Sequence, residues 1–380
     1  MKKIISILTS ILLATSVFAF EWGGMIGASE YTKDTIGNLS FKQYADIDLW
    51  FRHAFSKNLS MAGDIFYSFD YNFDGSDFES ASERKLDLNS FFLKGDYQLG
   101  SSDWDIGFSV GRFVVADATS LVLAQKIDGI GVSFSSAENI SLKLYGGYTG
   151  FLNKKTNEMY APYYTEDETF LEIYTVNVPY FITGFSTNFE SLFADQNLCA
   201  EVLAAIDQSL IYNQVYVDFS LDGPIYKSLY YAFATSGEMI FDQNAEKTFD
   251  WGALAKFEIM YFFNWNSLTL DASAVYMTDT FTPISQAEAS IDGAYYNSIM
   301  KTGLTASAKF LGVLFVTLGV DAVFDDENYA PTYSGIQYDV ALRYQVLDDL
   351  QLSASAAQLF YADTTQPSYL SVKGSVRLSF

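Results

Sequence analysis

The last twelve residues constrain the fold more than any other segment. Leu370, Val372, Val376, Leu378 and Phe380 fall on one parity, and Ser371, Lys373, Ser375, Arg377 and Ser379 on the other. Side chains at period two point to opposite faces of a strand, so this segment has an apolar and a polar face, and it stops on an aromatic. The pattern recurs upstream. In 41–53, Phe41, Ala45, Ile47, Leu49 and Phe51 oppose Lys42, Asp46, Asp48 and Arg52. In 334–347, Ile336, Tyr338, Val340, Leu342, Tyr344 and Val346 oppose Gln337, Asp339, Arg343 and Gln345. Hydrophobic residues make up 49% of the chain. Yet after residue 20 no apolar run approaches the roughly 20 residues of a membrane-spanning helix. Such a chain is apolar on one face of each strand.

The N-terminus reads as a leader. Lys2 and Lys3 precede an apolar stretch from Ile4 to Phe18, and Val17 and Ala19 suit the specificity positions of a cleavage site. Residues 1–19 are therefore expected to be a signal peptide, and 20–380 one domain with no linker, plug or C-terminal globular unit. Cys199 is the only cysteine, which rules out an intramolecular disulfide and a cysteine metal site.

A secretory leader, repeated alternating segments and a terminal Phe380 together resemble bacterial outer-membrane β-barrel proteins of the porin-like kind. The resemblance covers the architecture of the mature chain. It implies an all-β, transmembrane, antiparallel up-and-down barrel in the outer membrane of a diderm bacterium, surrounded by outer-membrane lipids. In such proteins the terminal Phe is a signal to the barrel-insertion machinery, a role that would fall to Phe380. A homotrimer is common among porins and is the assembly the resemblance suggests.

The alternation divides into about 18 strands, with about 16 as the alternative, and 151–225 decides between them. Phase is lost once near Ser90 and once near Gly111 and Arg112, where a β-bulge is expected. Short connections are expected at 56–58, 101–102, 137–139, 222–224, 264–266 and 348–349, and long ones at 73–84, 151–177, 238–247, 280–294 and 326–333. Tight turns on the periplasmic rim and longer loops outside match an outer-membrane barrel; the connection around 211–213 is too short for that rule.

A barrel this wide cannot be filled by wall side chains alone, so a hydrated lumen is expected. The inward parity carries Lys42, Asp46, Asp48, Arg52, Asp64, Lys256, Glu258, Lys301, Asp321, Asp339, Arg343, Lys373 and Arg377 as pore-lining candidates. Acids concentrate in the first strands and bases in the last, so the signs meet where the barrel closes. The chain holds 22 basic against 46 acidic residues, a formal charge of −24. That excess argues against nucleic acid as a partner. With the lumenal signs nearly balanced, the remaining acid is expected in loops, notably Asp74, Asp77, Glu79 and Glu83, then Glu166, Asp167 and Glu168, then Asp325, Asp326 and Glu327. Acid at a pore mouth favours cations.

The longest loop, 151–177, is the candidate constriction or mouth loop, with Tyr163, Tyr164, Glu166, Asp167 and Glu168. An exposed surface loop is the alternative. Its acidic triplet could take Ca²⁺, although it has no EF-hand pattern. Trp22, Trp50, Trp104 and Trp265 lie near expected periplasmic strand ends, where interfacial aromatics belong; Trp50 alone points inward and could stack a sugar.

No enzyme chemistry is legible. His53 is the only histidine and sits on the lipid-facing parity; no Gly-x-Ser-x-Gly elbow, Cys/His cluster or phosphate loop occurs. No cofactor or metal is expected. The residues point to a channel for passive diffusion of small hydrophilic solutes or ions, cation-preferring. The alternatives are a substrate-specific or hydrophobic-solute transporter and a surface adhesin or structural barrel.

Overall fold

The computed structural model describes residues 20–35, 38–74, 79–100, 103–136, 139–157, 159–163, 173–245, 248–285, 299–327, 330–363 and 368–380. The strands are β1 (Phe20–Thr35), β2 (Asn38–Ser56), β3 (Leu59–Asp74), β4 (Glu79–Gln98), β5 (Trp104–Ala116), β6 (Ala124–Ser136), β7 (Ile140–Tyr148), β8 (Tyr180–Phe189) and β9 (Asn197–Asp207). They continue with β10 (Tyr212–Tyr226), β11 (Leu229–Asp242), β12 (Phe249–Phe262), β13 (Thr269–Met277), β14 (Ile299–Phe310), β15 (Leu314–Glu327), β16 (Ala330–Leu347), β17 (Leu350–Tyr361) and β18 (Tyr369–Ser379). One 3₁₀ turn, Trp265–Ser267, joins β12 to β13.

Each strand pairs antiparallel with its sequence neighbour, and β1 pairs with β18, closing an 18-stranded barrel. The closing register runs from Met25 opposite Ser379 to Asp34 opposite Leu370. Gly24 N–H donates to the Phe380 carbonyl at 2.9 Å, and Phe380 N–H donates to the Gly24 carbonyl at 3.0 Å. Closure removes the exposed edges that an open sheet would present.

Alternation sets the two faces. Ile47, Leu49, Val114, Leu144, Val202, Val217 and Leu304 are exposed on the outer wall, while their sequence neighbours turn inward. Aromatics collect at both ends of this apolar band. Trp22, Tyr97, Tyr261 and Tyr344 lie toward the rim carrying the C-terminus, the inner rim, and Phe181, Phe249 and Trp251 toward the opposite, outer rim. An apolar belt between aromatic girdles is the exterior of a transmembrane barrel.

The register irregularity expected near Ser90 is present, whereas the bulge expected near Gly111 and Arg112 is not: the β4–β5 and β5–β6 registers run through those residues without a shift. The β3–β4 register shifts between Asp64 and Ile65, which face Ser90 and Leu88. Gly111 has φ +126°, and a Cβ there would lie 2.3 Å from the Phe91 carbonyl oxygen, so only glycine fits.

Several expected boundaries are corrected. Residues 222–224 are no turn: β10 continues through them, shifts register between Pro224 and Tyr226, and turns at Lys227 and Ser228. A bulge accommodates Pro224 inside a strand. The described residues of the long connections expected at 73–84 and 326–333 are strand, and β11 runs through the first half of 238–247. Asp74, Glu79 and Glu83 lie on β3 and β4, and Asp325, Asp326 and Glu327 on β15. Asp77 falls outside the described residues. Residues 121–123 precede β6. Polar residues on long outer strand ends look like loop residues in sequence.

Candidate functional site: a half-filled lumen

Three outer connections fold into the barrel, and they mesh with one another. Residues 117–123 wrap around the Asp117 carboxylate, which accepts from Thr119 N–H at 2.8 Å, Val122 N–H at 3.1 Å, Leu123 N–H at 2.7 Å and the Thr119 hydroxyl. This turn buries Leu121, Val122 and Leu123. Residues 278–285 bury Phe281 and Ile284. Ser285 N–H donates to the Val122 carbonyl at 3.2 Å, and Ala124 N–H to Ser285 Oγ at 2.8 Å. Tyr160 N–H donates to the Ile284 carbonyl at 3.2 Å, bringing in the β7–β8 connection. Gly252 lets this layer touch the wall, since a Cβ there would lie 2.6 Å from Phe281 Cα.

Wall carboxylates receive these loops. Glu238 accepts from Thr282 N–H at 2.7 Å, Gln214 Nε2 at 2.9 Å and Tyr216 Oη at 3.0 Å. Glu201 accepts from Ala118 N–H at 2.6 Å and Tyr145 Oη at 2.7 Å. Together the loops and the inward faces of β5–β13 form an apolar core around Leu123, Ile127, Tyr145, Leu203, Tyr216 and Phe281, to which β15 adds Val323.

The longest loop is pinned where the wall opens. The β4–β5 ladder runs only from Gln98–Asp105 to Phe91–Arg112, so the outer part of β4 has no strand on that side. There Leu86 N–H donates to the Ile173 carbonyl at 3.1 Å. Asn153 Nδ2 donates to the Leu86 carbonyl at 3.1 Å, and Thr156 Oγ1 to Asp87. Asp87, fully buried, also meets Lys126 Nζ at 2.9 Å and Arg112 at 3.5 Å, and Arg112 pairs with Asp128 at 2.7 Å. In the described ends of 151–177, Leu152 and Asn153 are wholly buried against this stretch of wall, while Phe151 and Val176 are exposed.

Tyr163 donates to Asp242 at 2.6 Å, close to the Tyr160 and Tyr212 rings. That hydrogen bond to a carboxylate raises the Tyr163 phenol above its ordinary pKa, while burial raises that of Tyr160. Tyr164, Glu166, Asp167 and Glu168 lie outside the described residues.

The other half of the lumen, walled by β14–β18 and β1–β3, supplies only Val323 to the core. Nearly all the sequence-derived pore residues line it. Lys42 and Lys85 bracket Asp70 at 3.6 and 3.3 Å. Lys301 holds Asp321 at 3.0 Å. Asp339 sits opposite Gly319, with Asp321 among its electrostatic neighbours. Arg343 and Lys309 flank the Phe315 ring at 5.0 and 4.9 Å. Asp46, Asp48, Asp64, Lys373 and Arg377 surround the β18–β1–β2–β3 seam, and Arg52 lies at its inner rim. Lys256 and Glu258, paired at 3.0 Å, belong instead to β12. Trp50 also faces inward but lies against the wall, 2.6 Å from where a Gly23 Cβ would be.

Sequence reading missed Asp87, Arg112, Asp117, Lys126, Glu201 and Glu238, the groups that hold the loops. The apolar triplet at 121–123 beside a Thr-Ser turn was the available signal.

No protein-family model matches the chain, and no curated protein does. The fold is similar to that of solved bacterial proteins, among them the outer-membrane protein OpdK of Pseudomonas aeruginosa. OpdQ of Pseudomonas aeruginosa aligns with TM-score 0.63 at 9% identity, over 95% of this chain and 98% of that one. OpdK of the same organism, solved with vanillate, aligns with TM-score 0.63 at 10% identity over the same shares. OccAB4 of Acinetobacter baumannii aligns with TM-score 0.62 at 10% identity, also over 95% and 98%. The chain, a closed 18-stranded outer-membrane barrel, shares the fold of these structures.

Proposed function

We propose that the chain is an outer-membrane channel for small hydrophilic solutes and that it prefers cations. The observation that carries this reading is the division of the lumen. Infolded loops narrow one half, and a wall of polar and charged residues lines the other. The fold it shares with the Opd and Occ structures supports the outer-membrane setting.

The cation preference rests on which charges are committed. Among the described residues, Lys42, Lys85, Lys94, Arg112, Lys126, Lys155, Lys256 and Lys301 all form ion pairs. On the open half of the lumen Asp46, Asp48, Asp64 and Asp339 form none, and neither do Lys309, Arg343, Lys373 and Arg377. Unpaired carboxylates in a confined aqueous path raise the local cation concentration. OpdK was solved with vanillate, a carboxylate; this lumen offers Lys373, Arg377 and the Lys309–Phe315–Arg343 sandwich to such a group, so anion passage is the competing outcome. Reversal potentials of the refolded protein in a KCl gradient test the reading. Cation selectivity is expected; anion selectivity would remove the charge argument and keep the pore.

Two contacts accompany this reading. Phe380 is the residue through which the insertion machinery would engage β18. Lipid meets the apolar outer belt, and a homotrimer would use part of it.

A further inference from the structure

We propose that the inner end of the lumen holds a binding site for short peptides of two or three residues that carry an aromatic side chain. The site rests on the channel reading for its supply of solute, and not on the cation preference.

A groove of about 570 Å³ lies on the inward face of β10, β11 and β12 beside the inner rim. Small-molecule sites commonly enclose about 300–1,000 Å³. The groove sits directly beneath the apolar core. Ala234 packs against that core, and Ala232, the next inward residue of β11, lines the groove.

The register orders its lining. Ala232 stands opposite Asp222. Two residues nearer the rim, Tyr230 stands opposite Met260. At the rim the chain turns at Lys227 and Ser228, and the Ser228 carbonyl accepts from Phe262 N–H at 2.9 Å. All seven residues line the groove. A carboxylate therefore marks its upper end, an ammonium and a hydroxyl its lower end, and apolar surface the stretch between. Four ladder positions separate the ends, about 13 Å of strand, and the Asp222 and Lys227 side chains shorten that span.

Both charged ends are available to a ligand. Asn197 Nδ2 donates to Asp222 Oδ2 at 3.0 Å and orients the carboxylate, which forms no ion pair among the described residues. Lys227 is exposed, lies over the Tyr226 ring at 4.9 Å, and likewise forms no ion pair among the described residues. Gln196 Nε2 donates to the Pro224 carbonyl at 2.8 Å and fixes the strand between them. The Tyr230 and Phe262 rings meet edge to face at 5.4 Å. Such a pair accepts a third ring in the same geometries, and the Met260 thioether is a favourable ring partner.

The charge separation selects the ligand. A single amino acid carries both charges on one carbon and cannot reach both ends. A dipeptide or tripeptide carries them at opposite ends, about 3.3–3.6 Å further apart for each residue. Its ammonium meets Asp222, its carboxylate meets Lys227 and Ser228, and its aromatic side chain meets Tyr230, Met260 and Phe262. A carboxylate without an amine would leave Asp222 unmatched, and an amine without a carboxylate would leave Lys227 unmatched.

Saturation-transfer NMR of the tripeptide Ala-Phe-Ala with the detergent-refolded barrel tests the site without requiring conductance, with empty micelles as the blank. Saturable binding is expected. It should weaken several-fold for the N-acetylated peptide, for the C-terminal amide and for Ala-Ala-Ala. Asp222→Asn should weaken the free peptide and leave the acetylated one unchanged. Lys227→Gln should weaken the free peptide and leave the amide unchanged. Ala232→Phe, which fills the groove, should abolish binding. Heat-modifiable gel migration confirms folding of each variant, and the two charge variants serve if Ala232→Phe fails to fold. No saturable binding, or equal binding of the free, acetylated and amidated peptides, would overturn the site. Conductance is recorded separately: an open pore that ignores the peptide would sink the site alone, and a barrel that binds the peptide without conducting would sink the channel reading alone.

Discussion

Asp87 shows how much one side chain can hold. It is fully buried where the β4–β5 ladder ends, and it joins Lys126, Arg112 and Thr156. Removing one member of a buried charged set leaves the others uncompensated, at about 3–5 kcal/mol. Asp87→Ala is therefore expected to lower the urea midpoint of the folded barrel and to increase open-channel noise, because the 149–179 loop loses its wall anchor. Unchanged stability and noise would show that the loop is held elsewhere. The closing seam offers a second test at this scale. A Cβ on Gly24 would lie 2.6 Å from the Phe380 ring, so Gly24→Val should reduce the yield of heat-modifiable barrel even with Phe380 intact. Phe380→Ala should reduce it too, through the lost ring packing and through the insertion signal assigned to it.

At the scale of elements, strands were legible and loops were not. Period-two alternation depends on local side-chain direction, and it located the strands and the inward parity of Lys42, Asp46, Asp48, Lys301, Asp321 and Asp339. Loop destination depends on partners far away in sequence. Glu201 meets Ala118, and Glu238 meets Thr282, pairings that no local pattern announces. The same blindness placed the acids of 73–84 and 325–327 in loops when they extend long strands. The infolded segments make a prediction of their own. Phe281 and Ile284 pack on the core from the β13–β14 connection, whereas the wall is closed without them. Replacing 278–298 by a short turn should leave a folded barrel and raise its single-channel conductance several-fold. An unchanged conductance would mean that the narrowest point lies elsewhere.

For the whole molecule, closure into a wide barrel settles the backbone hydrogen bonds and leaves the interior to be filled or flooded. This chain does both. Its middle strands enclose an apolar core made with their own loops, and its first and last strands keep a charged wall. The net charge of −24 pointed to acidic loops in the sequence; the structure puts much of that acid on the wall, some neutralised by lysine and some not. The central claim is that the charged half of the lumen is a continuous aqueous path. Single-channel recording of the refolded mature chain in a planar bilayer tests it most directly. Stable open steps, enlarged in the 278–298 replacement, are the expected result. No conductance from a barrel that is folded by gel migration would contradict the account.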